Sequence, residues 1–386
     1  MICKKCGALS TVTLRKKDFY CDDCFVVNIV HKFRACIGKN KILSPNQNTL
    51  ICLSGGHGSS VLLDLIYNAT VLDNHKKLRI TPYFLHLCDG DNNSVKHILK
   101  QCKTYNFDVY ISHIANFVEP ILNIPIVNVF DVNNEKIEKF KNILLGVPPS
   151  VCNDVIMKIK RSLYLKYANL MNCRLIFTAE TTTTLARNLL SNIAIGRGSQ
   201  IESDIGFLDN RDEKIKIIRP MKDISQEELN NYIRIKQLTP ISFNHIQENS
   251  IQSVISNFVV DLQESFQSTV STVCKTADKI GVHNNNKTER NNRCTMCESD
   301  LNTKYLKLSA LEATEFSRMV SHTKANSVLG NSNSDAKNKD LPDIDNLNDK
   351  SMFPYIHKSL CYGCSRNYSQ MNISQLPQNL HVSIQK

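Results

Sequence analysis

Eight of the 15 cysteines form four Cys-x-x-Cys pairs, two near each end of the 386-residue chain. The pairs are Cys3/Cys6, Cys21/Cys24, Cys294/Cys297 and Cys361/Cys364. Two such turns place four thiolates at the corners of a tetrahedron, which is the geometry of a structural zinc site. The first four cysteines have the usual short spacing, and residues 11–20 between them are compatible with a small hairpin. The sequence therefore predicts an N-terminal zinc module, with redox-active cysteines or chance as the alternatives.

The second set of four cysteines has a wider spacing, because 63 residues separate Cys297 from Cys361. Residues 322–350 within that gap are rich in Asn, Asp, Lys and Ser and are predicted to be a disordered insert. A long loop costs little extra free energy to close, so the insert is compatible with a metal site. Zinc is predicted here too, and a closed four-cysteine site holds a fold without doing chemistry.

A glycine-rich turn follows the first apolar strand of the central region. Leu50–Leu53 runs into Ser-Gly-Gly-His-Gly-Ser-Ser, and helical spacing follows at once. Backbone N–H groups, serine hydroxyls and a helix N-terminus together suit a bound phosphate. The predicted nucleotide-binding residues are Ser54, Gly55, Gly56, Ser59 and Ser60. The alternative is a tight strand–helix turn that Ser59 caps.

Strand and helix patterns alternate through the central region, and this alternation must position the glycine turn. Strands are predicted at 49–53, 79–88, 107–113, 174–178 and 214–218. Helices are predicted between and after them, at 60–68, 95–105, 154–171, 184–195 and 225–235. Such alternation indicates an α/β fold with a largely parallel sheet covered on both faces. Ligands on these sheets bind at the carboxyl ends of the strands.

Composition narrows the class of protein. Hydrophobic residues make up 42% of the chain, which is enough for a sizeable core and excludes wholesale disorder. Cysteine is too dilute for a secreted disulfide scaffold, and no segment has the length of a signal peptide's apolar region or a membrane span. We therefore expect an intracellular, soluble protein with reduced thiols. The net charge of +11 favours a polyanionic partner such as nucleic acid.

Two sets of motifs resemble known families. Ser54–Ser59 is similar to the Ser-Gly-Gly-x-Asp-Ser signature of the PP-loop family, whose members adenylate a substrate, but Gly58 replaces the acidic residue. Other motifs resemble the cytoplasmic tRNA 2-thiolation protein 2 family, in order along residues 1–370. They are Cys21-Asp-Asp-Cys24-Phe25, His31-Lys32-Phe33-Arg34, Thr183-Thr184-Leu185-Ala186, Gly196-Arg197-Gly198, Arg219-Pro220-Met221-Lys222-Asp223 and Cys361-Tyr-Gly-Cys364.

The resemblance implies a PP-loop α/β domain, of the adenine nucleotide alpha hydrolase-like type, with zinc-knuckle modules at both ends. It implies a cytoplasmic complex that 2-thiolates the wobble uridine of tRNA with sulfur from a thiocarboxylated ubiquitin-related modifier. The implied partners are a catalytic PP-loop subunit in a heterodimer, tRNA and that sulfur carrier. ATP and magnesium would serve the complex rather than this chain.

Departures from the active pattern predict that this chain is not catalytic on its own. Gly58 lacks the carboxylate that would help to place magnesium. Cys152 stands alone where active relatives carry a Cys-x-x-Cys pair, and the strand end at 177–183 holds a single carboxylate. Cys152 and Cys173 are candidate sulfur-transfer thiols, but both are predicted to be core residues. The alternatives are an ATP-dependent tRNA-adenylating thiolase and a zinc-ribbon RNA-binding protein without a thiolation role.

Four basic residues are predicted to contact tRNA phosphates: Lys32, Arg34, Arg187 and Arg197. Each of them could instead be an ordinary solvated surface charge, and only the net charge of the chain favours RNA. The predicted domains are residues 1–40 (zinc module and linking helix), 41–240 (degenerate PP-loop domain), 241–282 (helical extension) and 283–386 (cysteine-rich module).

Overall fold

The computed structural model describes residues 1–71, 77–131, 133–241, 249–266, 268–281, 293–301, 314, 317–318 and 360–371. The chain forms two compact units, Met1–Lys287 with Gln370–Asn379 and Thr288–Ser369 with Leu380–Lys386. The insert predicted at 322–350 lies outside the described residues. Among those that are described, no helix is long and apolar enough to cross a membrane.

The N-terminal module consists of a hairpin and a helix. Strands β1 (Val12–Leu14) and β2 (Asp18–Tyr20) pair antiparallel, which confirms the predicted hairpin. Helix α1 (Asp22–Lys39) begins with two aspartates, and negative charge in a first turn is favoured by the helix dipole. Its apolar residues recur every four positions, so one face is buried in the same core as the hairpin: Phe25, Ile29, Phe33 and Ile37.

A six-stranded sheet forms the centre of the first unit. Its strands are β3 (Gln47–Leu53), β4 (Ile80–Cys88), β5 (Val109–His113), β6 (Leu175–Phe177), β7 (Leu208–Asp209) and β8 (Lys216–Ile218). The order across the sheet is β5-β4-β3-β6-β8-β7, and all neighbours pair in parallel except β7 with β8. The chain direction across the sheet therefore reverses between β3 and β6, which is where open parallel sheets bind ligands.

Helices cover both faces of this sheet, as predicted. One face carries α1, α2 (His57–Val71), α3 (Asn92–Thr104) and α8 (Gln226–Lys236), which share one apolar core. The connection from β5 to β6 crosses the other face through α4 (Asn134–Leu144) and α5 (Pro149–Leu170). After β6 come α6 (Thr182–Ala194) and the short α7 (Ile201–Ile205).

Two further helices pack on α6. They are α9 (Ile251–Ser265) and α10 (Thr269–Gly281), and an ion pair of 2.8 Å between Lys222 and Asp278 helps to hold α10. Helix α9 lies within the residues predicted as a helical extension, and its apolar Val254 and Phe258 remain more than half exposed. In the second unit, α11 (Tyr362–Ser369) begins directly after Cys361. The division into four domains stays a prediction.

Candidate functional site

The glycine turn lies at the point where the sheet reverses direction. Residues 54–56 connect the carboxyl end of β3 to α2, and residues 178–181 leave the neighbouring strand β6 beside them. Gly55 has φ +88°, a conformation that glycine adopts without steric cost. The structure therefore places the five predicted loop residues together at the expected edge of the sheet.

The loop satisfies much of its own hydrogen-bonding capacity. The Gly55 N–H donates to Ser59 Oγ at 2.8 Å, and the Ser59 hydroxyl donates to the Gly56 carbonyl at 3.0 Å. The Gly56 N–H makes a longer bond of 3.4 Å to Ser54 Oγ. The Ile241 N–H donates to the Gly55 carbonyl at 2.9 Å, so a segment after α8 also lies against the loop. These contacts stabilise the turn without a bound phosphate.

Gly58 lies against the chain that leaves β6. A Cβ atom built on Gly58 would be 2.6 Å from the Ala179 carbonyl oxygen and 3.5 Å from its Cβ atom. Real Cβ atoms essentially never approach another atom closer than 3.0 Å, and this neighbour is backbone. The position where PP-loop enzymes carry an acidic residue therefore cannot accept any side chain here unless β6 and α2 move apart.

A small cavity adjoins the loop at the carboxyl ends of β3 and β4. It is lined by Leu53, Ser54, His86, Leu87, Asp89, Ser94, Lys160 and Tyr164. Burial lowers the pKa of Lys160 although Asp89 opposes this effect, and burial raises the pKa of Tyr164 well above its usual range. In the sequence nothing distinguishes Lys160 from the other basic residues of α5. Only the packing of α5 across the sheet reveals that it faces the cavity.

The two candidate sulfur-transfer thiols are both interior. Cys152 is 3% exposed and Cys173 is 2% exposed. Burial raises the pKa of the Cys173 thiol to about 12, so at neutral pH it is protonated. A sulfur-transfer thiol must be a reachable thiolate. Both positions agree with the core role that the sequence favoured for them.

The four predicted tRNA contacts do not form one surface cluster. Lys32 donates to both carboxylate oxygens of Glu228, at 2.7 and 2.9 Å. Arg187 donates to Ser256 and Thr184, and burial lowers its pKa.

Arg34 is half-buried, and its Nε atom has no hydrogen-bond acceptor within the described chain. Arg197 is 1% exposed and forms an ion pair with Asp154. Its interior position argues against the phosphate contact predicted for it.

The N-terminal cysteines converge on one point. The Sγ atoms of Cys3, Cys6, Cys21 and Cys24 all lie within 4.8 Å of one another, and the Cys6–Cys21 separation is 3.5 Å. Sulfurs on a tetrahedral zinc with bonds of about 2.3 Å would be about 3.8 Å apart. Burial raises the pKa of Cys3, but three backbone N–H donors outweigh it and lower the value to about 6. The four residues therefore fit a metal ion, and Cys6 is exposed at its edge.

The second unit brings the other four cysteines together across the long gap in sequence. The Sγ atoms of Cys294, Cys297, Cys361 and Cys364 also lie within 4.8 Å of one another, and Cys297 and Cys361 are 3.6 Å apart. All four are buried. Hydrogen bonding from Cys294 is the main cause that lowers the pKa of Cys361 to about 7, which favours the thiolate that a metal needs.

Comparison with known proteins gives the same assignment as the motifs. The family description "Cytoplasmic tRNA 2-thiolation protein 2" matches residues 250–366. The Anopheles gambiae protein of that name is 28% identical over 96% of this chain and 92% of its own length. The Drosophila yakuba protein is 30% identical over 94% of this chain and 89% of its own length. The chain belongs to the cytoplasmic tRNA 2-thiolation protein 2 family.

A solved structure matches the fold of this family member. The U34-tRNA thiolase NcsA from Methanococcus maripaludis, determined with its [4Fe-4S] cluster, superposes with a TM-score of 0.59. The match covers 87% of this chain and 99% of that one at 16% sequence identity. The predicted PP-loop α/β fold is therefore confirmed, and at this identity the match concerns the fold alone.

Proposed function

We propose that this chain acts in the 2-thiolation of the wobble uridine of cytoplasmic tRNAs, as the non-catalytic subunit of a thiouridylase complex. Family membership supports the reaction. The observation that supports the non-catalytic role is the contact between Gly58 and the Ala179 carbonyl, which leaves no room for an acidic side chain in the loop. The burial of Cys152 and Cys173 supports it further, because neither thiol is accessible for sulfur transfer.

The proposal assigns the chemistry to a partner. A catalytic PP-loop subunit would adenylate the uridine with ATP and magnesium, and a ubiquitin-related carrier would supply the sulfur. This chain would contribute a rigid α/β scaffold and a surface for tRNA. The two four-cysteine groups would each hold a structural zinc ion, which stabilises its small module without taking part in the reaction.

The decisive experiment measures 2-thiouridine in tRNA by mass spectrometry. Cells that lack the protein should lose the thiolated nucleoside, and the wild-type chain should restore it. Purified alone with ATP, tRNA and a sulfur donor, the chain should form no product, whereas co-expression with the catalytic subunit should give an active complex. Unchanged thiouridine after loss of the protein would overturn the thiolation role and favour a general RNA-binding protein.

A second measurement separates the scaffold from an adenylating enzyme. ATP–pyrophosphate exchange by the isolated chain should be at background, and Gly58→Asp should not create it, because the Ala179 carbonyl blocks the position. The control is Gly56→Asp, whose loop position has more space, with the nearest atoms 3.6 and 3.8 Å from a built Cβ. If the wild-type chain catalyses ATP–pyrophosphate exchange and Gly56→Asp abolishes it, this chain is itself catalytic. That result would contradict the proposal.

A further inference from the structure

Helix α3 presents a row of lysines that no sequence motif singled out. Lys96, Lys100 and Lys103 are spaced by four and three residues, so they lie on one face of the helix. All three are exposed and together form the lysine face of α3. The opposite face is buried through Ser94, Val95, Ile98 and Cys102. The helix is therefore amphipathic, with its outer side made of cations and asparagines.

The charge of the lysine face is not neutralised by the fold. Residues 92–104 contain no aspartate or glutamate. Within the described part of the chain, none of the three ammonium groups forms an ion pair. Like charges at these spacings on a helix repel each other. A counter-charge from outside the chain would relieve this repulsion.

The lysines of helix α4, in the same unit, are neutralised by ion pairs. Lys136 lies 3.0 Å from Glu119, Lys139 lies 2.6 Å from Glu135, and Lys141 lies 3.0 Å from Glu138. Three lysines on one helix of similar length are thus each paired with a carboxylate. The positive charge of the chain is therefore neutralised on α4 but not on α3, where it is exposed at the surface.

Packing and capping hold α3 in a fixed position. The Asp91 carboxylate accepts the backbone N–H groups of Asn93 and Ser94 at 2.9 and 3.2 Å. The Gln101 side chain donates to Ser60 of α2 at 2.9 Å and to the Thr239 carbonyl at 3.0 Å. A row of cations on an immobile helix needs little ordering when it meets a row of phosphates.

We propose that the lysine face of α3 contacts the phosphate backbone of tRNA. The proposal deepens the function proposed above and rests on it. An RNA backbone fits this face better than an acidic protein does. The face consists of three ammonium groups and offers no neighbouring hydrogen-bonding groups of defined geometry, so it attracts phosphates by charge alone. The contact positions the RNA and reads no base.

The test measures binding of the full-length chain to an unmodified tRNA transcript with a wobble uridine, over a range of salt concentrations. The variant is Lys96→Gln/Lys100→Gln/Lys103→Gln, and glutamine keeps a helix propensity close to that of lysine. The slope of log affinity against log salt should fall by about 2–3, because each phosphate contact contributes about 0.7–0.9. Affinity at 0.1 M salt should fall by about 100-fold if both proteins bind equally near 1 M salt.

The matched control is Lys136→Gln/Lys139→Gln/Lys141→Gln, which removes the same formal charge from paired lysines and should bind like wild type. Equal losses in both variants would show a response to net charge and overturn the proposal. Normal binding by the α3 variant would also overturn the proposal. A third variant, Lys16→Gln/Lys17→Gln, changes lysines at the tip of the β1–β2 hairpin, and a loss of binding in that variant alone would overturn the proposal as well. If the wild-type chain binds no tRNA at all, the tRNA-binding part of the proposed function fails too. Circular dichroism verifies that each variant is folded.

Discussion

Replacing Gly58 with alanine tests whether the fold itself excludes a side chain from the loop. Gly58 lies within α2, and in an unobstructed helix an alanine is more stable than a glycine by about 0.5–1 kcal/mol. Here the new Cβ would be 2.6 Å from the Ala179 carbonyl oxygen. Overpacking of this kind costs about 1–3 kcal/mol, because backbone cannot rotate away as a side chain can. The gain in helix propensity and the cost of the steric clash oppose each other, and the clash has the larger effect.

The expected result is a free energy of unfolding about 0.5–2 kcal/mol below that of the wild type. Urea unfolding followed by circular dichroism measures it. Gly38→Ala is the matched control, because Gly38 also lies in a helix and nothing is within 4 Å of its built Cβ. That variant should gain about 0.5–1 kcal/mol. If Gly58→Ala is stabilised as much as Gly38→Ala, the Ala179 contact does not restrict the loop, and an acidic residue could be accommodated.

Three further predictions concern buried charges and the cysteine groups. Arg197→Ala should lower the free energy of unfolding by about 3–5 kcal/mol in a urea titration, because the buried Asp154 loses the arginine of its ion pair. Burial alone would raise the pKa of Asp209, but two arginines outweigh it and hold the pKa well below its usual range. Stability from Asp209 is therefore complete above about pH 4 and lost as the pH falls further, and Asp209→Asn should remove this dependence in acid unfolding. Cys6→Ser and Cys294→Ser should each remove one equivalent of zinc, measured by elemental analysis.

Controls make these three outcomes informative. Adding Asp154→Asn to Arg197→Ala should recover part of the lost stability, since the buried carboxylate that lost its arginine is then neutral. The acid dependence attributed to Asp209 requires that its partners Arg161 and Arg211 be intact. Cys102→Ser changes a buried thiol outside both cysteine groups, so it should leave the zinc content unchanged. Equal zinc content in Cys6→Ser and the wild type would contradict an N-terminal zinc site.

Local patterns were enough to predict most elements of the central domain. Apolar runs gave β3 to β6 and β8 within a few residues, because strands buried on both faces must be continuously apolar. Helix α2 begins at His57, three residues before the predicted start, since the first turn carries glycine and serine rather than apolar residues. Helix α4 was not predicted, because only Phe140 and Ile143 of its residues are buried and five of the other nine are charged.

The predicted site was only partly recoverable from the sequence. The position of the loop residues could be predicted, because glycine and serine between a strand and a helix form a local signal. The surroundings of the basic residues could not, because the partner of a charge is set by residues far away in the sequence. Lys32 pairs with Glu228 of α8, and Arg197 pairs with Asp154 of α5. No spacing rule relates these residues, whereas the lysine face of α3 could have been found from its i, i+4, i+7 spacing and its lack of acidic residues.

The sequence by itself determined the modular plan, with paired cysteines at both ends and a parallel sheet between them. Short spacings and hydrophobic periodicity are local, so they can be read without knowing the fold. The tertiary structure decided how each feature is used. It brings Cys297 and Cys361 to 3.6 Å across 63 intervening residues and puts the Ala179 carbonyl where a side chain of residue 58 would lie. Both outcomes depend on contacts between segments far apart in the chain, which only packing can specify.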